Sequence, residues 1–143
     1  MKYFTIKELT RTGVNLPNLP NASEEANLLF LVETLLDMVR EEMGMPITVN
    51  SGFRTQAVNK AVGGAANSQH TKGEAADITC TDNKRLFELI KKSYRFDQLI
   101  WEFGNDNAPA WVHVSKRRDL NNRGEILRAR KDGKGKTYYE KMK

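Results

Sequence analysis

The sequence predicts an α+β fold in which a small antiparallel sheet packs on one long helix. Apolar residues recur at helical spacing through residues 23–43, and four short segments with the composition of β-strands follow. The chain has 143 residues, the length of one ordinary domain. The apolar face of the helix and one face of the sheet are therefore expected to form the core.

The long helix has a marked beginning, an apolar face and a marked end. Ser23 is the predicted N-cap, and two glutamates follow it where the helix dipole favours negative charge. Gly44 and Pro46 end the helix. Its predicted buried stripe consists of Leu28, Leu31, Val32, Leu35, Leu36, Val39 and Met43. Residues 1–22 are predicted to form an extended arm with one helical turn at residues 5–10, capped by Thr5.

The strands are predicted at residues 47–50, 75–81, 97–103 and 111–115. A helix capped by Asp82 or Asn83 and ending near residue 93 separates the second strand from the third. The polar, glycine-containing stretch 51–73 has the composition of a loop, with a short helix near residues 56–61. A loop of this length inside a compact domain is more often functional than idle.

The chain is predicted to form one domain over residues 1–120, followed by a basic tail over residues 121–143. The tail is rich in Lys and Arg and contains a glycine-rich charged run at residues 131–136, which indicates a loosely attached end. The formal net charge of the whole chain is +5. A positive charge favours anionic partners such as an acidic wall polymer or nucleic acid.

Composition excludes several classes of protein. Hydrophobic residues make up 39% and charged residues 29% of the chain, which is typical of a globular domain and not of a disordered one. The longest apolar run, residues 28–32, is too short to span a bilayer, so no membrane insertion is expected. The first residues lack the apolar core of a secretory signal. A single cysteine excludes an internal disulfide and a cysteine-based zinc finger.

The two histidines, His70 and His113, are the obvious imidazoles for a metal or acid–base site. Asp77 follows His70 after a glycine-containing turn, which we expect to bring both side chains to one point, and His113 lies on another predicted strand. Two imidazoles and one carboxylate are a ligand set typical of catalytic zinc, in which three protein ligands leave the fourth position for water.

Several ordered motifs around these residues resemble those of the zinc D-Ala-D-Ala carboxypeptidase family. That family includes L-alanyl-D-glutamate endolysins and shares its core fold with the Hedgehog signalling domain. The motifs are Ser51-Gly52-Phe53-Arg54-Thr55, Asn59, Val62-Gly63-Gly64, Ser68-Gln69-His70, Gly73, Ala75-Ala76-Asp77-Ile78 and Trp111-Val112-His113-Val114-Ser115. The opening residues 4–9 are also similar to those of the short phage and prophage branch.

The resemblance implies a Hedgehog/DD-peptidase-like fold and a single zinc peptidase domain over residues 1–120. It assigns His70, Asp77 and His113 as the zinc ligands. It also implies that Arg54 binds the substrate near the scissile bond. A guanidinium suits that role because it stays charged and offers a planar fork to a carboxylate or a developing oxyanion.

The sequence departs from the family at one position. Many relatives have a catalytic glutamate three residues before the last histidine ligand, whereas this chain has Ala110 there. Glu102 is the predicted general base, because it ends the strand expected to pair with the strand that carries His113. A salt-bridged structural role for Glu102 stays open at this point. Asp97 and Glu74 are the alternative bases.

Other residues near the predicted ligands have two interpretations. Ser68 and Gln69 precede His70, and we expect them to orient its ring or to hydrogen-bond the substrate. Trp111 is predicted to line the cleft, with a place in the core as the alternative. Cys80 lies three residues after Asp77, so alternation places it on the opposite strand face as a small core residue.

The function implied by the resemblance is zinc-dependent hydrolysis of a peptide bond in peptidoglycan stem or cross-link peptides. Both D-Ala-D-Ala carboxypeptidase and L-Ala-D-Glu endopeptidase activities fit it. The expected partner of this monomer is a peptidoglycan peptide and not nucleic acid. The absence of a signal peptide fits a phage-encoded enzyme that a holin releases and that acts on the bacterial cell wall.

Two other hypotheses remain at this stage. The first is a catalytically silent, zinc-containing module that binds the cell wall, which Ala110 favours. The second is a basic nucleic-acid-binding domain, although the sequence has no recognisable reading helix.

Overall fold

The computed structural model describes all 143 residues and is built on a six-stranded sheet in the order β1-β2-β4-β3-β5-β6. The strands are β1 (Thr48–Ser51), β2 (Ala75–Thr79), β3 (Gln98–Glu102), β4 (Trp111–Ser115), β5 (Glu125–Lys131) and β6 (Thr137–Lys141). The predicted α+β class is confirmed, but the sheet is mixed because β3 and β5 run parallel. The segment after β4 carries the chain back to the start of β3, so β5 begins beside Gln98 and runs in the same direction.

The helical segments are α1 (Ile6–Leu9), α2 (Ala22–Leu31), a π-helical segment (Val32–Leu36), α3 (Asp37–Met43), α4 (Gln56–Ala61), a 3-10 helix (Gln69–Lys72) and α5 (Asn83–Ser93). The chain is helical without a break from residue 22 to residue 43, although a π-helical segment separates α2 from α3. None of these helices has the length and hydropathy that crossing a bilayer requires.

The predicted N-cap of the long helix is wrong by two residues. Asn21 is the N-cap, and its side chain accepts a hydrogen bond from the backbone N–H of Glu24. The Glu24 carboxylate accepts in turn from the backbone N–H of Asn21, which completes a capping box. The reciprocal pair satisfies two backbone donors, so a helix that begins after Asn21 is favoured over one that begins after Ser23. Gly44 ends the helix in the left-handed conformation (φ +66°), as the sequence predicts.

The core lies between one face of the sheet and the helices. Each central strand alternates, so that one set of apolar residues faces the helices, whereas its polar residues, together with Ile100 and Trp111, face away. The core residues of the sheet include Ile78, Leu99, Trp101, Val112 and Val114, and those of the helices include Leu28, Val32, Leu35, Val39, Leu86, Phe87 and Ile90. The opposite face of the sheet is left free for polar side chains.

The expectation of a loosely attached tail is wrong. Residues 125–141 form a hairpin, β5–β6, which extends the sheet beyond β3. The many cationic residues of this segment led to the prediction of a loosely attached tail. Two of them form ion pairs in the structure: Arg128 pairs with Asp106 at 2.6 Å and Arg130 with Glu140 at 2.9 Å. Ala129 is fully buried in the middle of β5. The hairpin is therefore an integral part of the sheet.

Candidate metal centre

Strands β2 and β4 are neighbours, and their register places Asp77 directly opposite His113. Directly opposed residues project to the same face of a sheet, here the face away from the core. The Nδ1–H of His113 donates to Oδ1 of Asp77 at 3.0 Å. Buried Val112 and Val114 flank the histidine and fix the strand against the core.

His70 reaches the same point from the 3-10 helix. Ser68 caps that helix, because its hydroxyl accepts from the backbone N–H of His70. The Nδ1–H of His70 donates to the carbonyl oxygen of Gly52 at 2.7 Å, which fixes the tautomer and leaves Nε2 with a lone pair. Nε2 lies 3.4 Å from Oδ2 of Asp77. A fixed ring with one nitrogen on a backbone carbonyl is the arrangement found for histidine ligands of metals.

Together His70, Asp77 and His113 offer ligand atoms that all lie within 4.8 Å of one another. Burial opposes ionisation of Asp77, but the two neighbouring imidazoles outweigh it and hold the pKa of this carboxyl below its usual range. Nε2 of His113 is buried without a hydrogen-bond partner, so the protein alone does not satisfy this cluster. An anionic carboxylate and two imidazoles in this geometry fit a zinc ion.

The cluster opens into a cleft of about 880 Å³ on the polar face of the sheet. Glu102 lines this cleft, because it pairs with Trp111, two residues from His113 on the same strand face. Burial raises the pKa of Glu102 to about 7, to which the charge of Asp77 adds and which a charged His113 opposes. The structure thus brings the predicted base to the cleft that holds the three ligands.

Arg54 forms part of the cleft wall on the side of the polar loop. Its Nη2 donates to the Ser68 hydroxyl at 3.4 Å, and its Nε is buried without a partner. Burial lowers the pKa of Arg54, while the charge of Asp77 acts in the opposite direction. A guanidinium remains charged in such surroundings. No carboxylate pairs with it within 4.0 Å, which leaves its charge available to a ligand.

The amino-terminal arm supports this wall. The backbone N–H of Phe53 donates to the carbonyl of Leu9 in α1, and that of Arg54 donates to the carbonyl of His70. The amide of the buried Asn18 donates to the carbonyl of Phe53 and accepts from the N–H of Thr55. These bonds hold the loop and the ring of His70 in one arrangement.

Replacing Gly52 with alanine is expected to weaken zinc binding by about 10- to 100-fold. An added Cβ would lie 2.3 Å from the carbonyl oxygen of Leu9, so the backbone has to shift and takes the carbonyl that anchors His70 with it. Competition with a chelating dye measures the affinity. Gly13→Ala is the matched control, because a Cβ there meets nothing within 4 Å. Equal zinc affinity for Gly52→Ala and the wild type would contradict this role of the Gly52 carbonyl.

Three further predicted site residues lie around the cleft. The hydroxyl of Ser68 accepts from the backbone N–H of His70 and from the guanidinium of Arg54, so it links the backbone of one predicted ligand to the predicted substrate-binding arginine. The amide of Gln69 donates to the carboxylate of Asp97, which ties the side chain to the wall of the cleft. Trp111 is half-buried and packs edge-on against Phe103, with ring centroids 5.5 Å apart. Their contacts with a substrate stay a prediction.

The alternative bases are placed less favourably. Asp97 is fully buried, and its carboxylate accepts from the backbone and guanidinium of Arg123 as well as from Gln69. It is therefore committed to structural hydrogen bonds. Glu74 does not line the cleft, and its charged neighbours include Lys72 and Arg117. Cys80 is half-buried against the core, on the face opposite to Asp77.

The sequence reasoning missed the contribution of the hairpin. Four of its residues, Leu127, Lys131, Thr137 and Tyr139, line the cleft beside Glu102. Two signals in the sequence were available. Residues 127–130 alternate between apolar and cationic, and the connection that follows contains two glycines, Gly133 and Gly135. The density of positive charge obscured both.

Comparison with known proteins gives the class to which this fold and site belong. The sequence profile of the peptidase M15 family matches residues 2–115, well over half of the chain. The chain therefore belongs to the peptidase M15 family, whose members are zinc-dependent peptidases. The predicted family and the predicted zinc cofactor are confirmed at this level.

A characterised relative is the zinc D-Ala-D-Ala carboxypeptidase of Streptomyces albus G. The two sequences are 44% identical over 78 residues. The match covers 52% of this chain and 30% of the relative, so the chain corresponds to less than a third of that protein.

Proposed function

We propose that this protein is a zinc peptidase that hydrolyses a peptide bond in the stem or cross-link peptides of peptidoglycan. The observation that carries the proposal is the convergence of His70, Asp77 and His113 in a cleft that also contains Glu102. The name of the Streptomyces relative supports a peptide substrate of this chemistry. The net charge of +5 favours approach to an anionic wall.

Zinc held by His70, Asp77 and His113 would polarise the scissile carbonyl and lower the pKa of the attacking water. Glu102 accepts the proton of that water and passes it to the leaving amine. A carboxyl with a pKa of about 7 suits both steps near neutral pH, because it gains and loses a proton at little cost.

Arg54 supplies the positive charge beside the reacting carbonyl. Its unpaired guanidinium fits a substrate carboxylate or the oxyanion that develops during hydrolysis. Ser68 holds one nitrogen of the guanidinium, so the fork is oriented before substrate arrives. Trp111 offers a flat apolar surface to the peptide on the other side of the cluster.

Digestion of purified sacculi by the zinc-loaded protein tests the proposal. Mass spectrometry of the released fragments identifies the bond: loss of a terminal D-Ala indicates carboxypeptidase activity, and a new N-terminal D-Glu indicates L-Ala-D-Glu endopeptidase activity. A chelator is expected to abolish release and added zinc to restore it. Absence of any cleaved peptide from sacculi of several wall chemistries would contradict the proposal.

A silent wall-binding module is the second candidate, and Ala110 is the observation that favours it. The position of Glu102 in the cleft weighs against it, because another carboxylate can take the role of base. Pelleting with sacculi without any cleavage would support the silent module. The proposed enzyme acts as a monomer on the bacterial cell wall, and a phage origin with release by a holin stays a prediction.

A further inference from the structure

The β5–β6 hairpin lies outside residues 2–115, which match the peptidase family, yet it forms one wall of the cleft. The wall that carries Arg54 lies on the side of β1 and β2, whereas the hairpin lies beyond β3. The metal cluster on β2 and β4 is therefore between them. A peptide bound across the cluster would contact both walls.

The register of the sheet places Tyr139 in line with the predicted base. Trp111 pairs with Glu102, Glu102 with Ala129, and Ala129 with Tyr139. The four side chains therefore form one row across four strands on the same face. Glu102 and Tyr139 are two strands apart, which is about 10 Å between backbones. Ala129 between them is small and fully buried. Glu102 and Tyr139 on either side of it both line the cleft.

Lys131 and Thr137 form the next row on this face, at the end of the hairpin. Lys131 has no carboxylate within 4.0 Å, whereas Arg128 and Arg130 on the other face of β5 are both paired with acids. Its ammonium lies 5.4 Å from the ring centre of Phe103. Strand β5 thus presents an unpaired cation to the cleft, whereas the two arginines on its other face are paired with acids.

Tyr139 can supply a neutral hydrogen-bond donor beside the ammonium of Lys131. Tyr139 is 55% exposed, and the partial burial of its phenol, with the charges of Glu102 and Asp77, raises its pKa. The hydroxyl therefore keeps its proton at neutral pH and can donate a hydrogen bond. An ammonium and a phenol on one wall form a site for a carboxylate.

We propose that the β5–β6 hairpin is a second substrate subsite, in which Lys131 and Tyr139 bind a carboxylate that is distinct from the group bound by Arg54. The preferred substrate is then a peptide that carries a free carboxylate in addition to the group bound by Arg54. This inference rests on the proposed function, because it assigns a substrate preference to the same cleft.

Two synthetic stem peptides of sequence L-Ala-γ-D-Glu-L-Lys-D-Ala-D-Ala test the subsite. One has the free glutamate α-carboxylate and the other has a carboxamide there. We expect the zinc-loaded wild type to favour the acid by about tenfold or more in kcat/KM. Tyr139→Phe and Lys131→Met are each expected to lose about tenfold on the acid, chiefly through KM, and to leave the amide within about twofold.

Matched controls come from the same hairpin. Tyr138→Phe changes the neighbouring tyrosine on the opposite face, and Lys134→Met removes an exposed cation in the turn. Both are expected to keep the wild-type preference for the acid. Equal rates on acid and amide for the wild type, or an unchanged preference in Tyr139→Phe and Lys131→Met, would overturn the subsite.

A binding experiment separates this result from the fate of the proposed function. Calorimetric titration of Glu102→Gln with the same two peptides needs no turnover. Tighter binding of the acid, lost when Lys131→Met is added, supports the subsite even if the wild type hydrolyses neither peptide. Equal affinity for both peptides contradicts the subsite while leaving hydrolysis of sacculi by the wild type intact.

Discussion

Glu102→Gln is expected to lower kcat on peptidoglycan peptides by about 10²- to 10⁴-fold, because general acid–base catalysis typically contributes that much. The substitution keeps the shape of the side chain but removes its ability to accept a proton. Zinc content is expected to stay at the wild-type value, since Glu102 is not one of the three ligands. Steady-state rates together with metal analysis measure both quantities.

The same variant is expected to change how stability depends on pH in the metal-free protein. Burial raises the pKa of Glu102 from 4.5 to about 7, so the folded protein holds a proton that the unfolded chain releases. The free energy of unfolding of the wild type therefore falls as the pH rises from about 4.5 to about 7. The size of this loss is about 3 kcal/mol from the Glu102 carboxyl. Glu102→Gln has no carboxyl at this position and therefore does not show this loss of stability.

Denaturant unfolding of the metal-free wild type and variant at a series of pH values measures the difference. Relative to the wild type, Glu102→Gln gains stability across this interval. Glu88→Gln, an exposed glutamate on α5, is the control and is expected to follow the wild type in both activity and pH profile. Wild-type turnover in Glu102→Gln would exclude Glu102 as the base and direct attention to another proton acceptor.

His113→Ala is expected to lose zinc and at least about a thousandfold in kcat/KM, because a metal supplies several kcal/mol of transition-state stabilisation. The fold is expected to remain, since Val112 and Val114 on the same strand face the core and His113 faces the cleft. Zinc analysis, circular dichroism and peptide hydrolysis check the three expectations.

Cys80→Ala is the matched control for the metal ligands. Cys80 is the single cysteine and lies on the opposite face of the sheet from Asp77, so its removal is expected to leave zinc content and activity unchanged. Full zinc content together with full activity in His113→Ala would show that another residue holds the metal.

The elements with strong local signals could be predicted from sequence. The helix at Gln56–Ala61 and the strand at Trp111–Ser115 have the predicted bounds, because capping and alternation define them locally. The observed N-cap is Asn21 and not the predicted Ser23. Both residue types are good caps, but only Asn21 has a glutamate, Glu24, three residues later. The parallel pair β3–β5 depends on a long-range connection that no local pattern encodes.

The candidate site likewise contains residues that local patterns could assign and residues whose place depends on long-range strand pairing. His70, Asp77 and His113 could be assigned together because motifs surround each of them. Alternation alone could not say that Glu102 shares their face, because this depends on the register between β3 and β4. The place of Tyr139 depends on three successive strand pairings, which the local signals for a hairpin do not define.

Titration of the metal-free protein with zinc, with the rate of peptide hydrolysis as the readout, tests the central claim most directly. Activity is expected to rise linearly and to reach its maximum at one equivalent of zinc. Glu102→Gln is expected to bind the same single equivalent without gaining activity. Full activity in the metal-free protein, or equal activity of Glu102→Gln and the wild type at one equivalent, would contradict a single zinc centre served by Glu102.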